Sequence, residues 1–401
     1  RLRRSKAARA PRPRLDKSRS NRLRSLPFSV VDDYTARMNR SFVLLVLIGC
    51  SSVSNKSSDA GGQNPPACTS TVKPNVLVAD FSSDIKRGEP SVVGDDIFWV
   101  DASQGAATMF ASKTGVIMHM KVTDTAPATA VTPTGYVYSA TALGADILYL
   151  QDAPTTNVVH LYRAPIAGGA GTDVGAEIPI GGETIQSQDC GNCRVFGRKG
   201  DDVFVAAAGE IDRVNLVSGQ KTVIAQFSGR PTLMKGLYME ELVNDTVYYT
   251  EQDGAIFSVS SAASTPSATR LGSATCKAGL LGYKELRAYS GGFLCDEGSS
   301  IDRIDSMGTP KGAVFDSTLA DHNVSSFMPS AISGTTYWAT PSFAPQQDTD
   351  VSAIYKADVS GGAPTAAVCN VHAVQWTALG TTQLVYIDVV ASVTSLRSIP
   401  H

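Results

Sequence analysis

Four polar residues in one segment, FAPQQDTD, have side chains that could bind a ligand: Gln346, Gln347, Asp348 and Asp350. The two carboxylates are two residues apart, so both could reach one hard cation. A calcium ion, however, takes about six to eight oxygen ligands. We therefore predict neither a metal site nor a cofactor. A solvated loop is the simpler interpretation of the acids, and the four residues remain candidates for a ligand-binding face.

Six of the seven cysteines form an even set: Cys68, Cys190, Cys193, Cys276, Cys295 and Cys369. An even number in an exported protein indicates disulfides. Among many pairings we favour Cys276 with Cys295, and Cys68 with Cys369. Because CGNC, residues 190–193, is predicted in an inter-strand loop without the helix start that lowers a thiol pKa, we expect a local disulfide there rather than a redox site. No second CxxC or paired histidine accompanies it, which argues against zinc.

The five histidines are scattered along the chain, and no GxSxG segment is present. We therefore assign no catalytic residue. Trp99, Trp338 and Trp376 fall in predicted strands and are expected in the core.

The seventh cysteine, Cys50, ends the segment MNRSFVLLVLIGC that starts at Met38. Its apolar run is much shorter than the roughly 20 residues of a membrane-spanning helix and suits a signal peptide. The residues LIGC resemble the lipobox of bacterial lipoproteins, which implies that residues 38–49 are removed and that Cys50 carries acyl chains. Ser51 follows Cys50, which favours the outer membrane. An ordinary signal peptide with a chance cysteine is the alternative.

The flanking segments are not expected to fold. Residues 1–37 are rich in Arg, Ser and Pro and lack apolar periodicity. They are either a basic arm or, as we favour because a signal peptide belongs at an N-terminus, not part of the natural product. Residues 50–67 are small and polar, and are expected to be a flexible tether. We expect the folded domain to span residues 68–401.

A repeat organises that domain. GDDIFWVD at Gly94 recurs as GADILYLQD, GDDVFVAA, NDTVYYTE, SGGFLCDE, SGTTYWAT and TTQLVYID, roughly 43 to 56 residues apart. Each copy predicts a first strand, a tight turn, an apolar second strand, and two further strands. We predict an all-β, seven-bladed propeller of four-stranded antiparallel blades, with six or eight blades as alternatives.

The chain ends supply the argument for ring closure. The seventh unit has no room for a fourth strand, whereas NVLVADF, residues 75–81, precedes the first unit as an unassigned strand. Pairing the two would remove an exposed edge. The copies VYYT and YWAT resemble YWTD-type and related bacterial propeller repeats. That resemblance implies an architecture and leaves function open.

Two further patterns bear on function. Acids follow the second strand and bases recur in the third, and we interpret them as cross-strand pairs rather than a ring of ligand-binding charges; they are Asp101, Glu251, Glu297 and Asp388, with Arg163, Arg213, Arg303, Lys356 and Arg397. The connections from second to third strand vary in length and are long in unit one (residues 103–114), in unit two and in unit six (residues 341–352). Several connections from fourth to first strand are long too. These include residues 181–193 and 260–282. Alternate connections share one end of a ring, so we predict one loop-rich face.

The net charge of the chain limits the classes of partner that the folded domain could bind. After residue 49 the chain has 22 basic and 34 acidic residues, a formal charge of −12. Such a surface repels nucleic acid. We expect a monomeric, lipid-anchored binding module of the cell envelope, in the periplasm or facing the surface, that holds a protein, glycan or small ligand. The alternative is a propeller enzyme, a lyase or hydrolase acting on a polysaccharide or peptide.

Overall fold

The protein is described from a computed structural model. The described residues are 68–79, 90–101, 114–123, 127–132, 135–152, 158–179, 193–207, 209–227, 240–251, 253–276, 285–289, 291–296, 300–316, 330–332, 334–339, 352–380, 382–390 and 393–401. The predicted lipidation site Cys50, the ligand-face candidates Gln346, Gln347, Asp348 and Asp350, and Cys190 and Glu297 lie outside these residues.

Every regular element of the described chain is a β-strand. The strands are β1 Asn75–Val78, β2 Ser91–Val93, β3 Asp96–Asp101, β4 Thr114–Lys121, β5 Thr129–Ala130, β6 Gly135–Leu143, β7 Asp146–Asp152, β8 Val158–Pro165, β9 Thr172–Pro179, β10 Arg194–Lys199, β11 Asp202–Ala206, β12 Glu210–Asn215, β13 Lys221–Gln226, β14 Glu240–Val243, β15 Thr246–Thr250, β16 Ala255–Ser260, β17 Thr269–Thr275, β18 Glu285–Tyr289, β19 Gly292–Asp296, β20 Ser300–Asp305, β21 Pro310–Asp316, β22 Ser330–Ile332, β23 Thr335–Ala339, β24 Ser352–Asp358, β25 Thr365–Val371, β26 Ala373–Leu379, β27 Gln383–Val390 and β28 Val393–Pro400.

The strands form seven four-stranded antiparallel blades, which confirms the predicted fold and blade count. Blades 1 to 6 are β2–β5, β6–β9, β10–β13, β14–β17, β18–β21 and β22–β25, each used in chain order. Blade 7 has the order β26, β27, β28, β1. A short pairing of β4 with β6 also joins blades 1 and 2.

Blade 7 closes the ring with strands from both ends of the domain. Asn75 of β1 pairs with Ser398 of β28, and Val78 pairs with Leu396. The first strands of all seven blades contact their neighbours in a closed circle, including β2 against β26. Closure by the N-terminal strand is therefore confirmed, and it supplies hydrogen-bonding partners to an edge of β28 that would otherwise be open.

The second strand of each blade is apolar on consecutive residues because both of its faces are covered. Ile97 and Phe98 of β3 are both fully buried, but Ile97 packs toward blade 7 and Phe98 toward blade 2. The described core consists of seven apolar clusters, one at each seam between adjacent blades. The tight turn before this strand has left-handed backbone at Gly94 (φ 61°), and Asn244 (φ 53°) holds the corresponding position in blade 4, which explains the Gly or Asn there.

One predicted connection is wrong. The segment 260–282 was expected to be a single long connection into blade 5, but β17, Thr269–Thr275, lies within it as the outer strand of blade 4. Most side chains of this strand are exposed or half-buried. The strand therefore lacks the apolar pattern by which the inner strands are recognised.

Candidate functional site

The two ends of the ring differ in the lengths of their connections. At one end, here called the turn end, pairs of residues such as 94–95, 144–145 and 200–201 join first to second strands. At the other, called the loop end, the chain passes from second to third strands and from one blade to the next. The long connections, residues 79–90, 102–113, 180–193, 227–239, 276–284, 317–329 and 340–351, all join strands at the loop end. The ligand-face candidates Gln346 to Asp350 fall in the last of these.

Described side chains near the loop end form internal charge pairs. Asp388, at the end of the second strand of blade 7, is fully buried. Its Oδ1 accepts a hydrogen bond from the His372 backbone N–H at 2.8 Å, and its Oδ2 lies 3.2 Å from Arg397 Nε. The carboxylate thus joins the third strand of blade 7 to the connection that enters the blade. The charges of Asp388 and Arg397 neutralise each other, so the pair serves to position these chain segments.

A second pair lies on the innermost strands. Arg194 of β10 donates from Nη2 to Oε2 of Glu240 in β14 at 3.1 Å, and Glu240 is buried. On the far side of the same strand, Arg287 Nη1 of blade 5 lies 3.5 Å from Glu241 Oε1. Consecutive glutamates therefore pair with blades 3 and 5 respectively. These pairs line up three successive blades at the start of their inner strands.

The predicted pairing of third-strand bases with the acids that follow the second strand is wrong for blades 2 and 3. Arg163 Nε is 2.9 Å from Oδ1 of Asp146, and Arg213 Nε is 3.9 Å from Oδ2 of Asp202; both acids begin the second strand. His119, which takes the base position in blade 1, likewise lies 2.6 Å from Asp96. The predicted arrangement occurs at Arg397 and Asp388 of blade 7. The bases therefore reach toward the turn end in blades 1 to 3.

In blade 5 the third-strand base, Arg303, has a third kind of partner. Arg303 donates to the backbone carbonyls of Lys311 at 2.9 Å and Gly312 at 3.3 Å in its own blade, and to the carbonyl of Ser360 in blade 6. The residue at the acid position of this blade is Gly292, which has no side chain to accept a bond. Backbone carbonyls replace the missing carboxylate.

Asp146 shows how such ion pairs change the pKa of a carboxyl group. Burial by itself raises the pKa of a carboxyl group. At Asp146 the hydrogen bonds from Arg163 and from Arg198 of blade 3, the latter at 2.5 Å, outweigh burial and lower the pKa below its ordinary value. The aspartate is therefore ionised and joins blade 2 to blade 3.

Lys356 of blade 6 differs from the other bases and was not singled out from the sequence as a ligand-binding residue. It lies directly across from Tyr337, as Arg163 lies across from Leu148, but the acid position of its blade is occupied by Thr335. Lys356, Thr335 and Tyr337 line an open groove of about 430 Å³ at the turn end, together with Ala357, Asp358, Ala363, Thr365 and His401. The sequence feature that distinguishes this site is Thr335, which stands where the first three repeats have Asp.

Two disulfides join described cysteines, in the pairings favoured from the sequence. Cys276, which follows the outer strand of blade 4, is bonded to Cys295 of blade 5. Cys68 is bonded to Cys369 of β25, which joins the segment leading into β1 to the outer strand of blade 6. Cys193 is also in a disulfide. Its pairing with Cys190 stays a prediction.

Trp99 and Trp338 are buried in the core, as expected from their strands. Among the described residues, no three His, Cys, Asp or Glu side chains are grouped so as to hold a metal ion. A search of the same residues for a helix long and apolar enough to cross a membrane finds none.

No protein-family model matches the chain, and no curated protein is similar to it. Many solved structures share its fold. A prolyl endopeptidase structure aligns with a TM-score of 0.53 and 11% identity over 78% of this chain and 46% of its own. A chain of the mitotic checkpoint complex aligns with a TM-score of 0.51 and 13% identity, covering 88% and 99%. BamB from Moraxella catarrhalis aligns with a TM-score of 0.46 and 11% identity, covering 78% and 85%. At these identities the two alignments with TM-scores above 0.5 show the propeller fold alone.

Proposed function

We propose that the protein is a binding module of the cell envelope, which holds a protein, glycan or small ligand at the loop end of its propeller. A lipid anchor at Cys50 would attach it to the outer membrane, with residues 50–67 as tether. The observation that carries the proposal is the asymmetry of the ring. Seven long connections join strands at one end, while two-residue turns close most first-strand hairpins at the other.

Rigid strands with long connections at one end are a common arrangement for recognition, because the strands fix where each connection starts and stops while its sequence is free to vary. The internal charge pairs near the loop end, such as Asp388 with Arg397, hold the strand ends in place. Each carboxylate in them is already committed to a neighbour. They therefore support positioning of the connections and not a reacting group.

Two observations support an extracytoplasmic location. The Cys68–Cys369 and Cys276–Cys295 disulfides are typical of an oxidising compartment. The formal charge of −12 after residue 49 also disfavours nucleic acid as the partner. A protein or glycan of the envelope fits both.

The test separates the anchor from the binding face. The chain would be expressed from Met38 in a bacterial host, beside a Cys50→Ala variant. We expect the unchanged protein to gain acyl mass and partition into detergent, and the variant to stay aqueous. If both stay aqueous, the lipid anchor is wrong and a freely secreted protein is favoured.

For the binding face, a photo-cross-linking amino acid would replace Gln347 in a long connection or, as a matched control, the exposed Ser218 in a turn of blade 3 at the opposite end. We expect one discrete envelope component to be captured from position 347 and not from position 218. Equal capture from both positions, or none from position 347, would contradict a binding role for the loop end.

A further inference from the structure

Blade 6 breaks the charge pairing at the turn end. In blades 1 to 3 the base of the third strand faces an aspartate that begins the second strand: His119 with Asp96, Arg163 with Asp146 and Arg213 with Asp202. Blade 6 keeps the base as Lys356 but has Thr335 in place of the acid. A hydroxyl group cannot neutralise an ammonium charge. Lys356 therefore has the geometry of the pair without its anion.

The surroundings of Lys356 do not replace that anion. Asp358 lines the same groove, but its carboxylate accepts a hydrogen bond from the Ser360 backbone N–H at 2.7 Å. Hydrogen bonds from Ser360, and in lesser part the charge of Arg303, hold the pKa of Asp358 below its ordinary value. This carboxylate is thus committed to the turn that follows β24. No described carboxylate lies within ion-pair distance of the Lys356 ammonium.

The groove has the size and donors for a small anionic group. Its volume of about 430 Å³ is within the range of ligand sites in proteins. Burial raises the pKa of Tyr337, so its phenol stays protonated and can donate a hydrogen bond. The Tyr337 ring packs edge-on against the His401 ring, with the ring centroids 6.4 Å apart, and His401 Nε2 lies 3.2 Å from the carbonyl oxygen of Gly380.

We propose that this groove between blades 6 and 7 binds a carboxylate group, with the Lys356 ammonium as its charge partner and the hydroxyls of Tyr337 and Thr335 as hydrogen-bond donors. The carboxylate stands where the aspartate of blades 1 to 3 stands. It belongs either to a small molecule or to an acidic side chain of a peptide segment. The site is at the turn end and does not depend on the proposed role of the loop end.

The proposal is tested by titrating the full chain with glutarate and with the peptide acetyl-Gly-Glu-Gly-amide, followed by nuclear magnetic resonance. Glutaramide and acetyl-Gly-Gln-Gly-amide are the neutral counterparts. We expect at least one carboxylate probe to bind about tenfold more tightly than its amide. If both glutarate and the peptide bind, a carboxylate group alone is sufficient for binding. If only the peptide binds, the carboxylate must belong to a peptide side chain. Either result supports the site.

Variants locate the binding. Lys356→Met is expected to weaken carboxylate binding about tenfold or more. Lys311→Met is the matched control, because Lys311 of blade 5 is already paired with Asp305 at 3.0 Å and is expected to bind as the unchanged protein does. Thr335→Asp restores the acid of the first three blades and is expected to abolish binding while leaving the fold intact. Carboxylates that bind no better than amides, binding that Lys356→Met leaves as tight as in the unchanged protein, or binding that survives Thr335→Asp would overturn the proposal.

Discussion

The seam between blades 3 and 4 and the seam between blades 6 and 7 are held in different ways. At the first, Arg194 pairs with Glu240, Lys199 pairs with Asp245, and Arg213 donates to the carbonyl of Ser261 at 2.9 Å. These contacts flank an apolar cluster that contains Phe204 and Val247. Charges spaced along the seam fix how one blade is placed on the next.

At the second seam the described contacts are apolar and aromatic, such as Tyr337 with Leu384 and with His401. Blade 7 also takes its outer strand from the start of the domain, and the segment that leads into this strand is bonded to blade 6 through Cys68 and Cys369, 301 residues apart. The seam between blades 3 and 4 is thus aligned by ion pairs, whereas the blade that closes the ring is secured to blade 6 by a covalent link. The difference follows from the cost of bringing two distant chain segments together.

The largest effect is expected from breaking the closing disulfide. The variant Cys68→Ala with Cys369→Ala should lower the free energy of unfolding by about 5 kcal/mol, because a cross-link over a long loop removes much entropy from the unfolded chain. Denaturant unfolding measures the change. The matched control is Cys276→Ala with Cys295→Ala, which opens a link between residues only 19 apart.

The two variants should differ by roughly 2 kcal/mol, since the loop-closure entropy grows with the logarithm of loop length. Equal losses, or a larger loss in the control, would show that the closing disulfide adds no more stability than a local link, and the comparison of the two seams would fail.

A smaller effect is expected from Asp212, a buried acid of blade 3. Lys221 Nζ is 3.2 Å from Glu210 Oε1 but 3.6 Å from Asp212 Oδ2, and Asp212 is fully buried. Burial, with the nearby charge of Glu210 as a lesser cause, raises the pKa of Asp212 from 3.8 to about 7. The folded protein thus keeps a proton that the unfolded chain loses above about pH 4.

The stability contributed by this proton is full below pH 4 and is lost as the pH rises through about 7. Asp212→Asn, which cannot ionise, should therefore be more stable than the unchanged protein by roughly 3 kcal/mol at pH 8. Denaturant unfolding between pH 4 and pH 8 measures the difference. A constant difference across that range would mean that Asp212 does not titrate as expected.

The repeat and the ring closure were predictable from the sequence because each depends on local pattern. The consecutive apolar residues of GDDIFWVD require two covered faces, and a unit missing one strand at the C-terminus matches an extra strand at residues 75–81. Strand β17 was missed because TRLGSAT lies at the outside of blade 4 with most of its side chains exposed or half-buried. An outer strand carries little of the hydrophobic signal on which sequence prediction depends.

Which acid pairs with each third-strand base was not predictable, because candidates occur at both ends of the second strand. In blade 2 the base Arg163 lies across from Leu148, two residues after Asp146, and its guanidinium extends to that residue. In blade 7 Arg397 lies across from Tyr386, two residues before Asp388, and extends the opposite way. The choice depends on side-chain direction within an antiparallel pair, which repeat spacing does not encode.

The smallest effects concern the ion pairs of the seam between blades 3 and 4, and they separate burial from charge. Arg194→Met should cost roughly 2 kcal/mol, because it removes a hydrogen-bonding cation from Glu240, whose side chain is only 2% exposed. Lys199→Met, in the same seam, should cost less than about 0.5 kcal/mol, because the side chains of Lys199 and Asp245 are 47% and 76% exposed and solvent screens their attraction. Thermal unfolding at low and high salt measures both. Only the small Lys199 effect should fade with salt; equal costs would mean that pairing at this seam depends on charge alone and that burial of Glu240 adds nothing.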